Sequence, residues 1–146
     1  MRNPHEPYFR AVLAALGDLA DPDDSFSQYA NGDGEVMLTE IYVRIPGNDR
    51  HGPFGLVWTQ VSGWRWGRLN DRGFLDHAAE LVYGLIATPT TITTAVNTLL
   101  AGSRHLLPLA DKAPEPTADK LTPELSHAVE QGDLDPETAA QLAFYA

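Results

Sequence analysis

The chain has 146 residues, contains no cysteine and carries 20 acidic against 10 basic side chains, for a net charge of −10. This length suffices for a hydrophobic core without covalent cross-links, and a sequence without cysteine excludes disulfide scaffolds, thiolate zinc sites and thiol nucleophiles. The acidic excess repels phosphates, so direct binding to nucleic acid is disfavoured.

Neither a signal peptide nor a membrane-spanning segment is predicted. Residues 1–7 lack an apolar stretch. The longest apolar run covers only residues 81–87, whereas about 20 apolar residues are needed to cross a bilayer. We therefore expect a cytoplasmic protein with no membrane partner.

The first predicted elements are a helix over residues 8–20, a loop over 23–34 and a strand over 35–45. The helix follows from apolar side chains at three- and four-residue spacing. Turn-forming residues fill the loop. The strand alternates, with apolar side chains on one face and Tyr42 and Arg44 on the other.

The middle of the chain predicts an antiparallel hairpin of strands 55–60 and 64–69, which holds all three tryptophans. A face with three indoles either anchors a core or forms an aromatic binding platform. The core interpretation is favoured. Under the platform interpretation, the ligand-binding residues are Trp58, Trp64, Trp66 and Arg65.

Two turns fit this hairpin, and they place the indoles differently. A two-residue turn at Ser62 and Gly63 puts Trp58 on the face opposite the other two tryptophans. A three-residue loop over 61–63, with Gly63 in the left-handed conformation, pairs Trp58 with Trp66 and puts all three on one face. We prefer the loop, because its third position favours glycine.

Two helices are predicted after the hairpin. Apolar residues at helical intervals indicate the first helix, over 73–85. The second helix, over 89–101, begins with Thr88 as a capping residue and Pro89 in the first turn.

Residues 104–120 contain prolines without a periodic pattern and predict a linker between an α+β domain over 1–103 and an acidic helical hairpin over 121–146. Both helices of this hairpin begin with a capping residue, a proline and a glutamate. Helices this short bury too little surface alone, so we expect the pair to dock on the α+β domain or on a partner chain.

These elements predict an α+β fold: an N-terminal helix, a three-stranded antiparallel sheet, two further helices, a linker and a C-terminal helical pair. The amphipathic helices are expected to cover one face of the sheet. The opposite face, which carries Tyr42, Arg44, Val57 and, with the three-residue loop, Arg65, is then free for a partner.

No catalytic, metal or cofactor motif is found. His77 and Glu80 are three residues apart, but two ligands are too few for a structural metal site. Residues 31–35 resemble part of a calcium loop, yet the glutamate that closes such a loop is missing. No phosphate-binding loop or nucleophile elbow occurs. An enzyme is therefore disfavoured, and no cofactor is expected.

Two patterns, Leu56-x-Trp58 with Gly63-Trp64-x-Trp66, and Pro89 followed by apolar residues at helical spacing, resemble a small actinobacterial domain family of unknown function. The resemblance covers residues 8–102 and implies an architecture of helix, strand, hairpin and final helix. It implies no catalytic residue, cofactor or substrate. The chain departs from the family at residues 59–62, where members often carry acidic residues.

The leading hypothesis is a non-enzymatic binding or regulatory module that acts through protein–protein contacts, either with another protein or as a homodimer. Its contacts are expected on the free face of the sheet and on the apolar faces of the C-terminal helices, at Tyr42, Arg44, Leu125, Val129 and Leu142. The alternative is a small-molecule-binding protein or an enzyme with an aromatic pocket around the tryptophan hairpin.

Overall fold

The computed structural model describes residues 3–31, 37–73, 75–112 and 121–146. In these residues the chain folds into one antiparallel sheet that packs its apolar face against helices. The elements in chain order are α1 (Glu6–Leu16), β1 (Asp21–Asn31), β2 (Met37–Ile45), β3 (Phe54–Thr59), β4 (Gly63–Leu69), β5 (Leu75–Glu80), α2 (Pro89–Leu100), α3 (Pro123–Glu130) and α4 (Pro136–Ala143).

The sheet has five strands in sequence order, each antiparallel to its neighbours. The α+β class is therefore correct, but the prediction of a three-stranded sheet with two helices after it is wrong. One segment that was predicted as a loop forms β1, and one that was predicted as a helix forms β5.

Strand β1 occupies most of the loop that was predicted over 23–34, whose last residues, 32–34, lie outside the described part of the chain. Asp, Pro and Ser near its start are typical of turns, and the register does shift there, between Asp21 and Phe26. Beyond that irregularity Phe26 pairs with Tyr42. Pairing with β2, the next strand along the chain, thus outweighs the local composition.

Strand β5 replaces the helix that was predicted over 73–85; residue 74 lies outside the described residues. It pairs with β4, so that Trp66 faces Ala79. Gly67 permits this approach, because a Cβ atom at that position would lie 2.9 Å from the carbonyl oxygen of Asp76. The apolar residues of this segment have helical spacing, and that spacing does not show that the segment pairs with β4.

The hairpin of β3 and β4 has a register that neither predicted turn provides. Trp58 pairs with Trp64, and Thr59 pairs with Gly63, so the loop consists of residues 60–62. Gly63 has a φ of +69°, in the left-handed region as predicted. The observed register differs from the preferred one by two residues, and a shift of two keeps every side chain on its face. The prediction that the indoles share one face is therefore confirmed.

The core lies between that face of the sheet and the four helices. Its largest fully buried side chains come from the sheet, from all four helices and from Leu81: Tyr8, Ile41, Ile45, Phe54, Leu56, Trp58, Trp64, Leu81, Ile92, Leu99, Leu125 and Leu142. Because α3 and α4 contribute to this same cluster, the helical pair docks on its own chain.

A network of hydrogen bonds holds the turn between α3 and α4 to the sheet. The Gln60 side chain donates to the Asp133 carbonyl oxygen and accepts from the Thr39 hydroxyl at 2.6 Å. Tyr29 donates to the Asp133 carboxylate. Residues 113–120 of the predicted linker lie outside the described residues, and the earlier residue Leu109 forms a bridge with Val82.

Candidate functional site

The face of the sheet that points away from the core carries a groove of about 960 Å³, lined by residues from all five strands. One transverse row of this face follows from the strand registers. Phe26 lies opposite Tyr42, Tyr42 opposite Val57, and Val57 opposite Arg65. No helix within the described ranges belongs to the lining of this groove.

The floor of the groove is a continuous apolar strip. A Cβ atom on Gly55 would lie 2.9 Å from both the Tyr42 ring and a Leu75 methyl group, and 3.4 Å from Leu69. Tyr42 and Leu75 therefore approach each other above Gly55, where a larger residue would displace the ends of both side chains. Phe26, which remains 48% exposed, extends the strip, and its ring centroid lies 5.5 Å from that of Tyr42.

The rim of the groove is polar and predominantly acidic. Asp24, Glu40 and Asp71 contribute carboxylates, and Arg44 contributes a guanidinium group. Arg44 lies 3.5 Å from the carboxylates of both Asp21 and Asp24. Its charge is thus compensated within the protein, although exposed pairs of this kind contribute little to stability.

Partial burial raises the pKa of the Tyr42 phenol, an effect that Arg44 partly opposes and Asp24 reinforces. The hydroxyl therefore stays protonated at neutral pH. It offers a neutral hydrogen-bonding group at the edge of an otherwise apolar strip.

The structure separates the five residues that were expected to contact a partner. Tyr42 and Arg44 line the groove. Leu125 and Leu142 are each 1% exposed and belong to the core, and Val129 packs partly buried against it. These last three side chains face the chain's own sheet layer and do not extend the groove.

The tryptophans lie on the other side of the sheet. Trp58 and Trp64 are fully buried. The indole of Trp58 donates to the Leu85 carbonyl oxygen at 2.7 Å, and that of Trp64 donates to the Tyr8 hydroxyl at 2.9 Å. Trp66 is almost fully buried and packs edge-on against Phe54.

Arg65, the fourth residue expected on an aromatic platform, lies on the groove side of β4. Its guanidinium donates to the Ala78 carbonyl oxygen of β5 at 2.6 Å. The indole N–H groups of Trp58 and Trp64 and one N–H group of the Arg65 guanidinium thus donate within the protein.

The sequence did not predict that Phe26 and Leu75 belong to the groove floor, because their strands were predicted as a loop and a helix. The alternation of Phe26 and Gln28 with Ser27 and Tyr29 is the signal that indicates β1, since a period of two is typical of a strand. No comparable signal marks β5.

A buried histidine lies at the edge of the core. The Nε2 atom of His5 donates to the Glu40 carbonyl oxygen at 2.8 Å, and Nδ1 has no partner among the described residues. The ring packs against Trp58, with centroids 5.8 Å apart. Burial lowers the pKa of His5 below its usual 6.5, and the hydrogen bond to Glu40 and the carboxylates of Glu6 and Glu40 only partly oppose this.

This histidine predicts a loss of stability in mild acid. The unfolded chain takes up a proton near pH 6.5, whereas the folded chain resists it, so the free energy of unfolding should fall as the pH drops below 6.5 and level off below the folded-state pKa. His5→Gln retains an amide donor but does not titrate, and should show a shallower decline. Urea denaturation across this pH range measures the difference. His105→Gln, at an exposed position, is the control; a decline in His5→Gln as steep as the wild type's would contradict the prediction.

Two metal-site candidates come from the sequence, the pair His77 and Glu80 and the segment 31–35. His77 and Glu80 lie on an exposed edge strand, and no group of three or more potential ligands occurs in the part of the chain that is described. Residues 32–35 of the calcium-loop candidate lie outside that part. No helix in the described ranges is both long and apolar enough to cross a bilayer.

Comparisons with protein-family models, with curated proteins and with solved structures found no match to this chain. The resemblance to an actinobacterial family therefore stays a prediction.

Proposed function

We propose that the chain is a non-enzymatic binding module that docks a partner protein on the groove. The observation that carries the proposal is the apolar strip formed by Phe26, Tyr42, Leu69 and Leu75 on a sheet face that no described helix lines. Aromatic and aliphatic side chains that lie side by side at a surface and are only partly buried are typical of protein-interaction surfaces. The proposal keeps the cytoplasmic location expected from the sequence.

The dimensions of the groove favour a macromolecular partner over a small metabolite. Its lining extends across five strands, and four strand spacings span about 19 Å. Small-molecule sites have a similar volume, about 300–1,000 Å³, but they are concave pockets that bury most of the ligand. A wide apolar strip with a polar rim matches the usual arrangement of a protein interface.

The test is affinity capture with matched variants of the full chain. Phe26→Ser/Tyr42→Ser removes both aromatic rings from the floor, and Phe26→Ser alone is the milder change. Val61→Ser is the control, because Val61 is 77% exposed at the tip of the hairpin and outside the groove. A partner captured by the wild type and by the control should be lost with the double variant, by about tenfold or more.

Circular dichroism and urea denaturation must show that each variant is folded. If the double variant and the wild type, both folded, capture the same proteins in the same amounts, the groove is not the docking site and the proposal is wrong.

A further inference from the structure

The charges around the groove restrict the chemistry of its occupant. Its lining holds three carboxylates, from Asp24, Glu40 and Asp71, against the single guanidinium of Arg44. Arg44 is held between two aspartates, at 3.5 Å from each. The groove is therefore net negative, on a chain whose total charge is −10. An acidic partner would be repelled, and a cationic one attracted.

The ring of Phe26, which is 48% exposed, and the partly buried ring of Tyr42 lie between these charges. Phe26 and Tyr42 are cross-strand partners, with Gln28 and Glu40 paired on one side of them. Asp24 and Arg44 lie on the other side, two residues away along each strand. A cationic side chain above the two rings would meet aromatic faces and carboxylates together, and both attract cations.

A second copy of this chain fits the groove poorly. Two grooves placed face to face would enclose six carboxylates against two guanidinium groups in one interface. Like charges opposed across an interface are unfavourable. The occupant is therefore better sought in a different protein.

We infer that the partner presents an extended basic segment, in which Lys or Arg residues alternate with apolar ones. The inference rests on the proposed function. A span of about 19 Å corresponds to about six residues in an extended conformation. The apolar side chains would contact the strip around Leu69 and Leu75, and one cationic side chain would lie over Phe26 and Tyr42, between Asp24 and Glu40.

The experiment is selection of a random dodecapeptide phage library on the full-length chain, followed by calorimetric titration of the selected synthetic peptides. The inference expects sequences enriched in Lys or Arg next to apolar residues. Their affinity should fall about tenfold or more with Phe26→Ser/Tyr42→Ser. It should also fall clearly with Asp24→Asn/Glu40→Gln and with rising salt.

The matched control is Asp18→Asn/Glu130→Gln, which changes the net charge by the same two units at exposed positions outside the groove. It should leave the affinity nearly unchanged. An equal loss with this control would mean that only the total charge matters, and would overturn the inference.

The other outcomes separate the two proposals. Peptides without basic residues that still need Phe26 and Tyr42 would overturn the basic segment while keeping the docking groove. Selected peptides that bind the double variant as well as the wild type would overturn both. Sedimentation velocity that shows a dimer in the wild type but not in the folded double variant would make a second copy the occupant, and would overturn the basic segment.

Discussion

Replacing Leu125 and Leu142 with alanine is expected to destabilise the whole chain strongly, including the sheet. Both leucines are 1% exposed and belong to the cluster that contains Trp58 and Trp64. A buried leucine-to-alanine change costs about 2–5 kcal/mol, so the pair costs a large part of the about 5–15 kcal/mol by which a domain is stable. Urea denaturation should show a lost or strongly shifted transition in tryptophan fluorescence, which reports on the sheet.

Phe144→Ala is the matched control for this prediction. Phe144 follows α4 but is 53% exposed, so its removal should change the free energy of unfolding by about 0.5 kcal/mol or less. If instead the tryptophan transition of the double variant stays where it is in the wild type, residues 1–103 fold without the helical pair. The sequence-based division into two domains would then be right, and the single core would not be a cooperative unit.

The helices could be predicted from the sequence because their signals are local. The Thr88 hydroxyl caps α2 by accepting from the amide of Thr91, and Thr122 and Asp135 cap α3 and α4 in the same way. A proline follows each of these caps. Such signals need no information about distant residues.

The edge strands could not be predicted, because pairing decides their structure. β1 has the composition of a loop, and β5 has apolar spacing that also fits a helix. β5 is a strand because it pairs with β4, which it approaches closely over Gly67. The residues of β5 by themselves do not reveal this pairing. Since Phe26 and Leu75 lie on these two strands, half of the groove floor was missed with them.

Amphipathic patterns predicted which side chains are buried, but not which part of the protein or which partner buries them. The apolar faces of α3 and α4 were expected to meet the chain's own domain or a partner, and in the structure they meet the chain's own core. Tyr42 and Arg44 were expected on a free face, and they line the groove. The alternation of side chains along one strand is enough to predict the free face with Tyr42 and Arg44. The surface that covers α3 and α4 is known only from the tertiary packing.

Tyr8→Phe should destabilise the fold more than the loss of one hydroxyl usually does. Tyr8 is fully buried; its hydroxyl donates to the Ala87 carbonyl oxygen and accepts from the Trp64 indole at 2.9 Å. It thereby joins α1, β4 and the segment before α2. Phenylalanine would leave an N–H and a C=O buried without this partner, at about 1–3 kcal/mol each. We expect urea denaturation to show a loss of about 2–6 kcal/mol.

The same residue predicts a second, pH-dependent readout. Burial raises the pKa of Tyr8 above its usual 10.0, more than the hydrogen bond from Trp64 lowers it. The folded chain therefore keeps this proton where the unfolded chain loses it, so stability is complete below pH 10.0 and declines above it. Tyr8→Phe should show a shallower alkaline decline, and Tyr83→Phe, at a residue that is 56% exposed, should match the wild type. A Tyr8→Phe protein with wild-type stability at neutral pH would contradict the role of this hydroxyl, because both of its partners would then be satisfied without it.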